Sequence, residues 1–376
     1  MGDVARDTDR SCRRMSDLKD RLKRLIAAGG PISVSEYMAA CLFDPEAGYY
    51  TTREPFGTQG DFTTAPEISQ MYGELLAVWA LAAWREMDRP VPFVLGEIGP
   101  GRGTLMADVL RTLNRLDPPF VILGRIAMIE ASPRLADIQR DRLAAGKGKP
   151  TWFDRVDDLP KLPLILLGNE IFDALPFRQF VKTAHGWRER MVTLGDDGEF
   201  CFAAGMAGIE PSLLPPAADT VPAGTIFEVA PARDALMSTV AAHIAKHGGA
   251  ALFADYGHIE RAFGDTFQAL RAHAPCDVFE HPGEADLTSH VDFAALATIA
   301  RGHGLDVQTV TQGEFLVGMG LLERAGALGA NADQGARDRL QADVDRLAGP
   351  DGMGNLFKIM VVTRAGMKLP PFARAD

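Results

Sequence analysis

Glu97, Gly99, Gly101 and Gly103 form the pattern E-x-G-x-G-x-G directly after the apolar run Phe93-Val94-Leu95. Alternating glycines let backbone approach a ligand that any Cβ would keep away. The helical pattern that follows, with Leu105, Val109 and Leu110 on one side, begins with unpaired amides. Strand, glycine turn and helix in succession open a nucleotide-binding βα unit. A dinucleotide fingerprint, G-x-G-x-x-G, would need glycine at 104, where Thr104 stands. An acid beside the turn suits a cationic nucleoside better than a pyrophosphate. An NAD-type site and an ordinary strand-turn-helix corner are the competing readings of these residues.

A second acid lies one strand later. Arg125–Glu130 reads as a strand ending in Glu130, where both nucleotide classes place an acid for ribose hydroxyls. Glu130 therefore supports nucleoside binding without choosing the nucleoside. Leu162–Leu167 is a continuous apolar run, as expected of a buried parallel strand. At its end stands Gly168-Asn169-Glu170-Ile171-Phe172-Asp173, at the rim where open α/β sheets bind ligands. Asn169, Glu170 and Asp173 are the candidates for handling a substrate. Glu228, in Phe227-Glu228-Val229, is a further acid that would join Glu170 and Asp173 in an acidic clamp, the competing reading being that one or more of these acids cap a helix or face solvent. Tyr256 and His258 follow the next strand, Gly249–Asp255, at the same rim. A lone histidine there is more often structural than catalytic.

These residues need elements to hold them. Residues 1–15 are polar and read as disordered. Ser16 reads as the cap of an amphipathic helix carrying Leu18, Leu22, Leu25 and Ile26, and Ser33-Val-Ser-Glu36 is a capping box for a second helix. The loop from Asp44 to Pro66 is long enough to be functional. Within it, Gly57, Gly60 and the run Asp61-Phe62-Thr63-Thr64 are expected to place backbone and hydroxyls over a ligand, the competing reading being a loop packed down by its aromatics. Gln70–Met87 is an apolar helix leading into the first strand. Residues 177–203 alternate in three segments joined at His185-Gly186 and Asp197-Gly198, which predicts an antiparallel meander inserted between the fourth and fifth strands. Residues 265–286 read as a polar stretch with short helical pieces. Helices over about 313–328 and 333–347 precede a closing strand, Asn355–Thr363.

Four blocks, SEYMAACLFDPEAGYYTT, GDFTTAPEISQMYGELLAVW, EIGPGRGTLMADVLR and GNEIFDALPFRQF, make the chain resemble the MidA-like family of S-adenosylmethionine (SAM) methyltransferases from about Ser33 to near the C-terminus. The glycine turn resembles motif I of class I SAM methyltransferases. The resemblance implies a seven-stranded Rossmann-like α/β sheet with an N-terminal helical cover over residues 1–90. The methyltransferase domain would span 91–376, with the inserted β-meander subdomain at about 177–225. It implies SAM as cofactor, held by Glu97, Gly99, Gly101, Gly103 and Glu130, with Asp154 near adenine and Asn169 beside them. Mitochondrial members are similar to protein arginine methyltransferases acting on a respiratory complex I subunit. The implied substrate is thus an arginine on a protein, oriented by Glu170, Asp173 and Glu228. The alternatives are a SAM-binding assembly factor without turnover and an NAD(P)-dependent oxidoreductase. The latter is disfavoured by Thr104 and by the lack of an evident catalytic pair. The cover and meander also offer surfaces for a homodimer.

Composition bounds the rest. With 47% hydrophobic and 24% charged residues, the chain can bury a substantial core. A net charge of −11 gives no electrostatic case for nucleic acid and is compatible with a basic protein substrate. The four cysteines are far apart and lack C-x-x-C spacing, so neither a metal site nor a disulfide framework is expected. No apolar run approaches a membrane span of about 18 residues, and the charged N-terminus has no signal-peptide core. The expected location is the cytoplasm of a bacterium, or the mitochondrial matrix of a eukaryote.

Overall fold

The computed structural model describes residues 18–52 and 63–372. Ser16, Gly57, Gly60, Asp61, Phe62 and residues 1–15 fall outside them. The described chain divides into two compact units, one formed by 18–52, Asp173–Arg233 and Arg261–His290, the other by the remainder.

The second unit is built on seven strands: β1 (Phe93–Ile98), β2 (Gly124–Ile129), β3 (Thr151–Phe153), β4 (Leu164–Asn169), β5 (Gly249–His258), β6 (Leu305–Thr311) and β7 (Phe357–Arg364). Their order across the sheet is β6-β7-β5-β4-β1-β2-β3, with Val291–Asp292 pairing off β5 as a short eighth strand. The pairs joining β1 to β5 are parallel, and β7 runs antiparallel to both its neighbours. β1 and β4 are buried on both faces, as their apolar runs Phe93-Val94-Leu95 and Leu164-Ile165-Leu166-Leu167 dictate. The order reverses between β1 and β4, which opens a crevice beyond their carboxyl ends.

Helix α1 (Gln70–Glu86) packs Trp79, Leu76 and Trp84 into the core of this unit. Although counted with the cover in the sequence reading, it belongs to the sheet. Trp84, Phe93 and Phe120 meet with ring centroids 4.8–5.5 Å apart. Glu74 on α1 is nearly buried, and Arg324 (2.6 and 3.0 Å) and Arg111 (3.3 Å) neutralise it. The helix expected over 313–328 is two, Gln312–Gly318 and Leu321–Gly329. They part at Gly320, whose φ of +95° admits glycine far more readily than other residues.

In the first unit, a helix over 18–29 and the helix Val34–Phe43 pack against a sheet. The Ser33–Glu36 capping box forms as the sequence predicts. The strands Arg178–Thr183, Gly186–Leu194 and Phe200–Ala204 are the expected meander, extended by Ile32–Ser33 and Ile226–Val229. Gly186 and Gly198 take positive φ at the hairpins (+94° and +74°). Tyr37 sits edge-on to Phe200 and Phe279 at the centre of the core. Residues 265–286 are not helical. Gln268–Arg271, Ala274–Cys276 and Asp286–Thr288 pair instead as a small antiparallel sheet. Its ladder satisfies backbone groups that a polar loop would leave to solvent, and Ala269 and Leu287 enter the core.

Candidate active site

The glycine turn after β1 has the conformation its composition calls for. Gly99, Gly101 and Gly103 have φ of +63°, +53° and +76°. At Gly99 a Cβ would also lie 2.6 Å from Ile171 Cγ2, so the turn admits no side chain there without a shift. Gly103 is the N-cap of helix α2 (Thr104–Leu116). Thr104 is a tie point: its hydroxyl donates to Glu67 Oε1 at 2.5 Å and accepts from Arg142. Glycine there, as a dinucleotide site requires, would forfeit both bonds.

Glu97 stands in β1 just before the turn and is 2% exposed. Burial pushes its carboxyl up to about 8, the Met106 amide draws it partly back, and the charge of Glu130 adds to the rise. Its Oε2 has no hydrogen-bond partner among the described residues. A buried, unpartnered carboxyl oxygen is costly. The α-ammonium of SAM is a donor and cation of the type that would satisfy it, and the positive-φ glycines provide approach without side chains. The residues present therefore fit the cofactor.

Glu130, immediately after β2, accepts from the Ser132 amide (2.8 Å) and from Gln139 Nε2 (3.0 Å). Burial raises its pKa, and these two donors oppose the rise. Asp154 lies exposed just beyond β3. Gln139, on helix α3 (Pro133–Leu143), was missed by the sequence reading. It is fully buried, donates also to the Gly101 carbonyl (2.9 Å), and accepts from Trp152 Nε1 (2.8 Å). Its signal was a polar residue on the buried face shared with Leu135 and Leu143.

At the end of β4, the Tyr72 hydroxyl donates to Asn169 Oδ1 (2.7 Å), and Asn169 Nδ2 donates to Glu170 Oε1 (2.9 Å). Burial raises the Tyr72 pKa well above its ordinary value, and the charges of Glu170, Asp255 and Glu97 add to this. Glu170 has φ +53°, uncommon for a residue with a Cβ. Its amide donates to Ala254 O (2.8 Å), and buried Asp255 accepts from the Phe172 amide (2.9 Å), so β5 clasps the turn. Tyr72 and Asp255 also escaped the sequence reading as site residues, because an apolar helix and a strand end gave no spacing signal.

Asp173 and Glu228 belong to the first unit. Asp173 is nearly buried. Its carboxylate accepts from the Ala174 amide, and its carbonyl accepts from Arg233 and the Ser289 amide. Glu228 accepts from Gln179 Nε2 (2.8 Å) and from the Thr266 amide and hydroxyl (3.0 and 2.6 Å). Tyr256 packs edge-on to Phe357, and His258 Nδ1 lies 2.7 Å from the Glu260 carbonyl.

The strand order, the glycine turn and its two acids define a class I SAM-dependent methyltransferase. A family model of S-adenosyl-L-methionine-dependent methyltransferases matches residues 75–311, and the chain belongs to that MidA-like family. It is 36% identical to the mitochondrial protein arginine methyltransferase NDUFAF7 of Danio rerio over 384 residues, covering 94% of this chain and 89% of that protein. The Homo sapiens protein of the same name is 35% identical, with coverage of 90% and 81%. A Burkholderia thailandensis crystal structure holding S-adenosyl-homocysteine superposes with a TM-score of 0.83 at 30% identity, covering 97% of each chain.

Proposed function

We propose that this methyltransferase modifies an arginine guanidinium on a protein, with Glu170 as the acid that orients it. The observation that carries the reading is the Glu170 turn: a non-glycine residue in left-handed conformation beyond β4, its carboxylate anchored by Asn169. Strained backbone persists where the surroundings over-determine it, and it clusters at functional sites. The arginine specificity rests on the names of the relatives, which are protein arginine methyltransferases.

When bound, SAM supplies a methyl on a sulfonium, the carbon–nitrogen bond forming as the carbon–sulfur bond breaks. The protein's part is positioning and charge placement. Glu97 would hold the amino group, and Glu130 the ribose. A carboxylate at 170 pairs with two guanidinium N–H groups in one plane, which directs the remaining nitrogen toward the methyl and favours the charge that develops. The methylated nitrogen then releases a proton to solvent, which restores the single positive charge of the guanidinium. Asp173 and Glu228, acids of the first unit, remain further candidates for substrate handling, each to be tested singly.

A respiratory complex I subunit as the target rests on the family resemblance alone. So does a cytoplasmic or matrix location, although the relatives' names are mitochondrial. No described helix is long and apolar enough to cross a membrane. Homodimerisation is likewise a proposal.

The decisive experiment incubates the protein with methyl-labelled SAM and purified candidate substrates, followed by amino-acid analysis. Labelled methylarginine that disappears with Glu170→Gln, while S-adenosyl-homocysteine still binds, supports the reading. Label on another residue type would overturn the arginine assignment. Cofactor binding without any transfer, together with partner binding that Glu170→Gln leaves intact, would indicate an assembly factor instead.

A further inference from the structure

Gln139 makes three hydrogen bonds from a fully buried position, each to a different part of the nucleoside half of the site. Its two amide hydrogens go to the Gly101 carbonyl and Glu130 Oε2, and its oxygen accepts from Trp152. The orientation is forced. A flipped amide would set oxygen against the Gly101 carbonyl and the Glu130 carboxylate, and nitrogen against an indole N–H, which has no acceptor. Trp152 lies in β3 and Gly101 in the turn after β1, while Glu130 follows β2. One side chain thus sets the spacing among three successive strand ends. A Cβ on Gly103 would lie 3.4 Å from Gln139 Cγ, so the turn packs on this residue as well.

We propose that Gln139 is a positioning residue that fixes the Glu130 carboxylate for a ribose diol and ties it to the glycine turn, making the site selective for ribonucleosides with both hydroxyls. The inference rests on the assignment of Glu130 as the ribose acid. With one oxygen held by the Ser132 amide and the other by Gln139, Glu130 cannot rotate away when the site is empty. A carboxylate has about four acceptor sites, so capacity remains for a diol. The pinned geometry matches two adjacent hydroxyls and leaves an acceptor unfilled when one is missing, the arrangement that discriminates most strongly against a ligand lacking a hydroxyl.

The test is calorimetric titration of wild type and Gln139→Leu with S-adenosyl-homocysteine and its 2′-deoxy analogue, across pH. Wild type should prefer the ribonucleoside by at least about tenfold. Gln139→Leu should bind S-adenosyl-homocysteine about tenfold more weakly and lose most of that preference. Its affinity profile should also shift to higher pH, because Glu130 loses a donor that holds its pKa down. A merely structural role would weaken both ligands equally and leave the pH profile in place, and that result overturns the proposal. Should Gln139→Leu fail to fold, Trp152→Phe, which removes only the third partner, should reduce the preference by about threefold; an unchanged preference would overturn it equally. Loss of discrimination in Glu130→Gln is required as well. Wild type that binds S-adenosyl-homocysteine without any ribose preference would refute the Glu130 assignment itself.

Discussion

The Tyr72 hydroxyl donates to Asn169 Oδ1 at 2.7 Å, which turns the Asn169 amide nitrogen onto the carboxylate of Glu170. A helix that precedes the sheet therefore reaches the rim beyond β4 and sets the direction of an acid two bonds away. Because the tyrosine is fully buried and surrounded by acids, its hydroxyl stays protonated and remains a donor across the working pH range.

Tyr72→Phe removes this donor with little change in volume. We expect kcat to fall about fivefold to tenfold, the value of one hydrogen bond, while S-adenosyl-homocysteine affinity stays within about twofold. Steady-state kinetics alongside calorimetry separates the two. Weakened cofactor binding at full kcat would place Tyr72 on the cofactor side instead.

Gly101→Val puts a β-branched residue at φ +53° in the turn. The backbone must leave that conformation, at a cost of about 1–3 kcal/mol, or carry a side chain into the approach to the cofactor. Binding of S-adenosyl-homocysteine should become undetectable in a protein whose circular dichroism is unchanged. A folded Gly101→Val protein with wild-type affinity would remove the turn from the site.

Glu97 makes the cofactor-free protein sensitive to alkali. Its carboxyl titrates near 8 in the folded chain against an ordinary 4.5, so between those values the folded chain holds a proton the unfolded chain has released. Stability is therefore lost as pH rises through this window. Glu97→Gln should melt at the same temperature as wild type near pH 4.5 and be more stable by on the order of a few kcal/mol at pH 8, yet bind S-adenosyl-homocysteine more weakly. Melting curves of both proteins from pH 5 to pH 8.5 check the sign, and a constant difference across the series would contradict it.

Glu74 behaves oppositely. Burial pushes its carboxyl up, but hydrogen bonds and charges from Arg324 and Arg111 outweigh that and hold it below the ordinary value. Its contribution is present above the unfolded pKa and lost as pH falls through the folded one. Glu74→Ala should cost about 1.5–3 kcal/mol at neutral pH, the value of charge-assisted hydrogen bonds, since the Arg324 and Arg111 cations it leaves behind are partly exposed and solvated. Denaturant titration at pH 7 and pH 3 should show the difference shrinking in acid.

The sheet was legible because its central strands are continuously apolar runs, the first of them leading into a glycine turn, and Glu97 and Glu130 occupy fixed places in that grammar. The meander was legible from its two glycine hairpins. What escaped has a physical reason. The small sheet at 268–288 forms from short polar strands without alternation, so only tertiary pairing stabilises it. Gln139 and Tyr72 act through hydrogen bonds to residues far off in sequence, and nothing in local spacing encodes such partners. The break at Gly320 hid within a helical pattern because a single glycine does not end a helix unless its φ turns positive.

The first unit is assembled from three separated lengths of chain, and its centre shows what that entails. The Tyr37 hydroxyl is satisfied by the Val278 carbonyl, 241 residues further on, and the ring rests against Phe200 and Phe279. During synthesis on the ribosome, the helix that carries Tyr37 emerges early and must wait for its partners until most of the chain has been made. Until then the apolar face comprising Val34, Met38 and Leu42 has only part of its core, from the helix over 18–29 and the meander, and lacks Ala285 and Leu287. This core is therefore completed only late in synthesis, and a chain ending before residue 278 would leave the Tyr37 hydroxyl without its carbonyl acceptor.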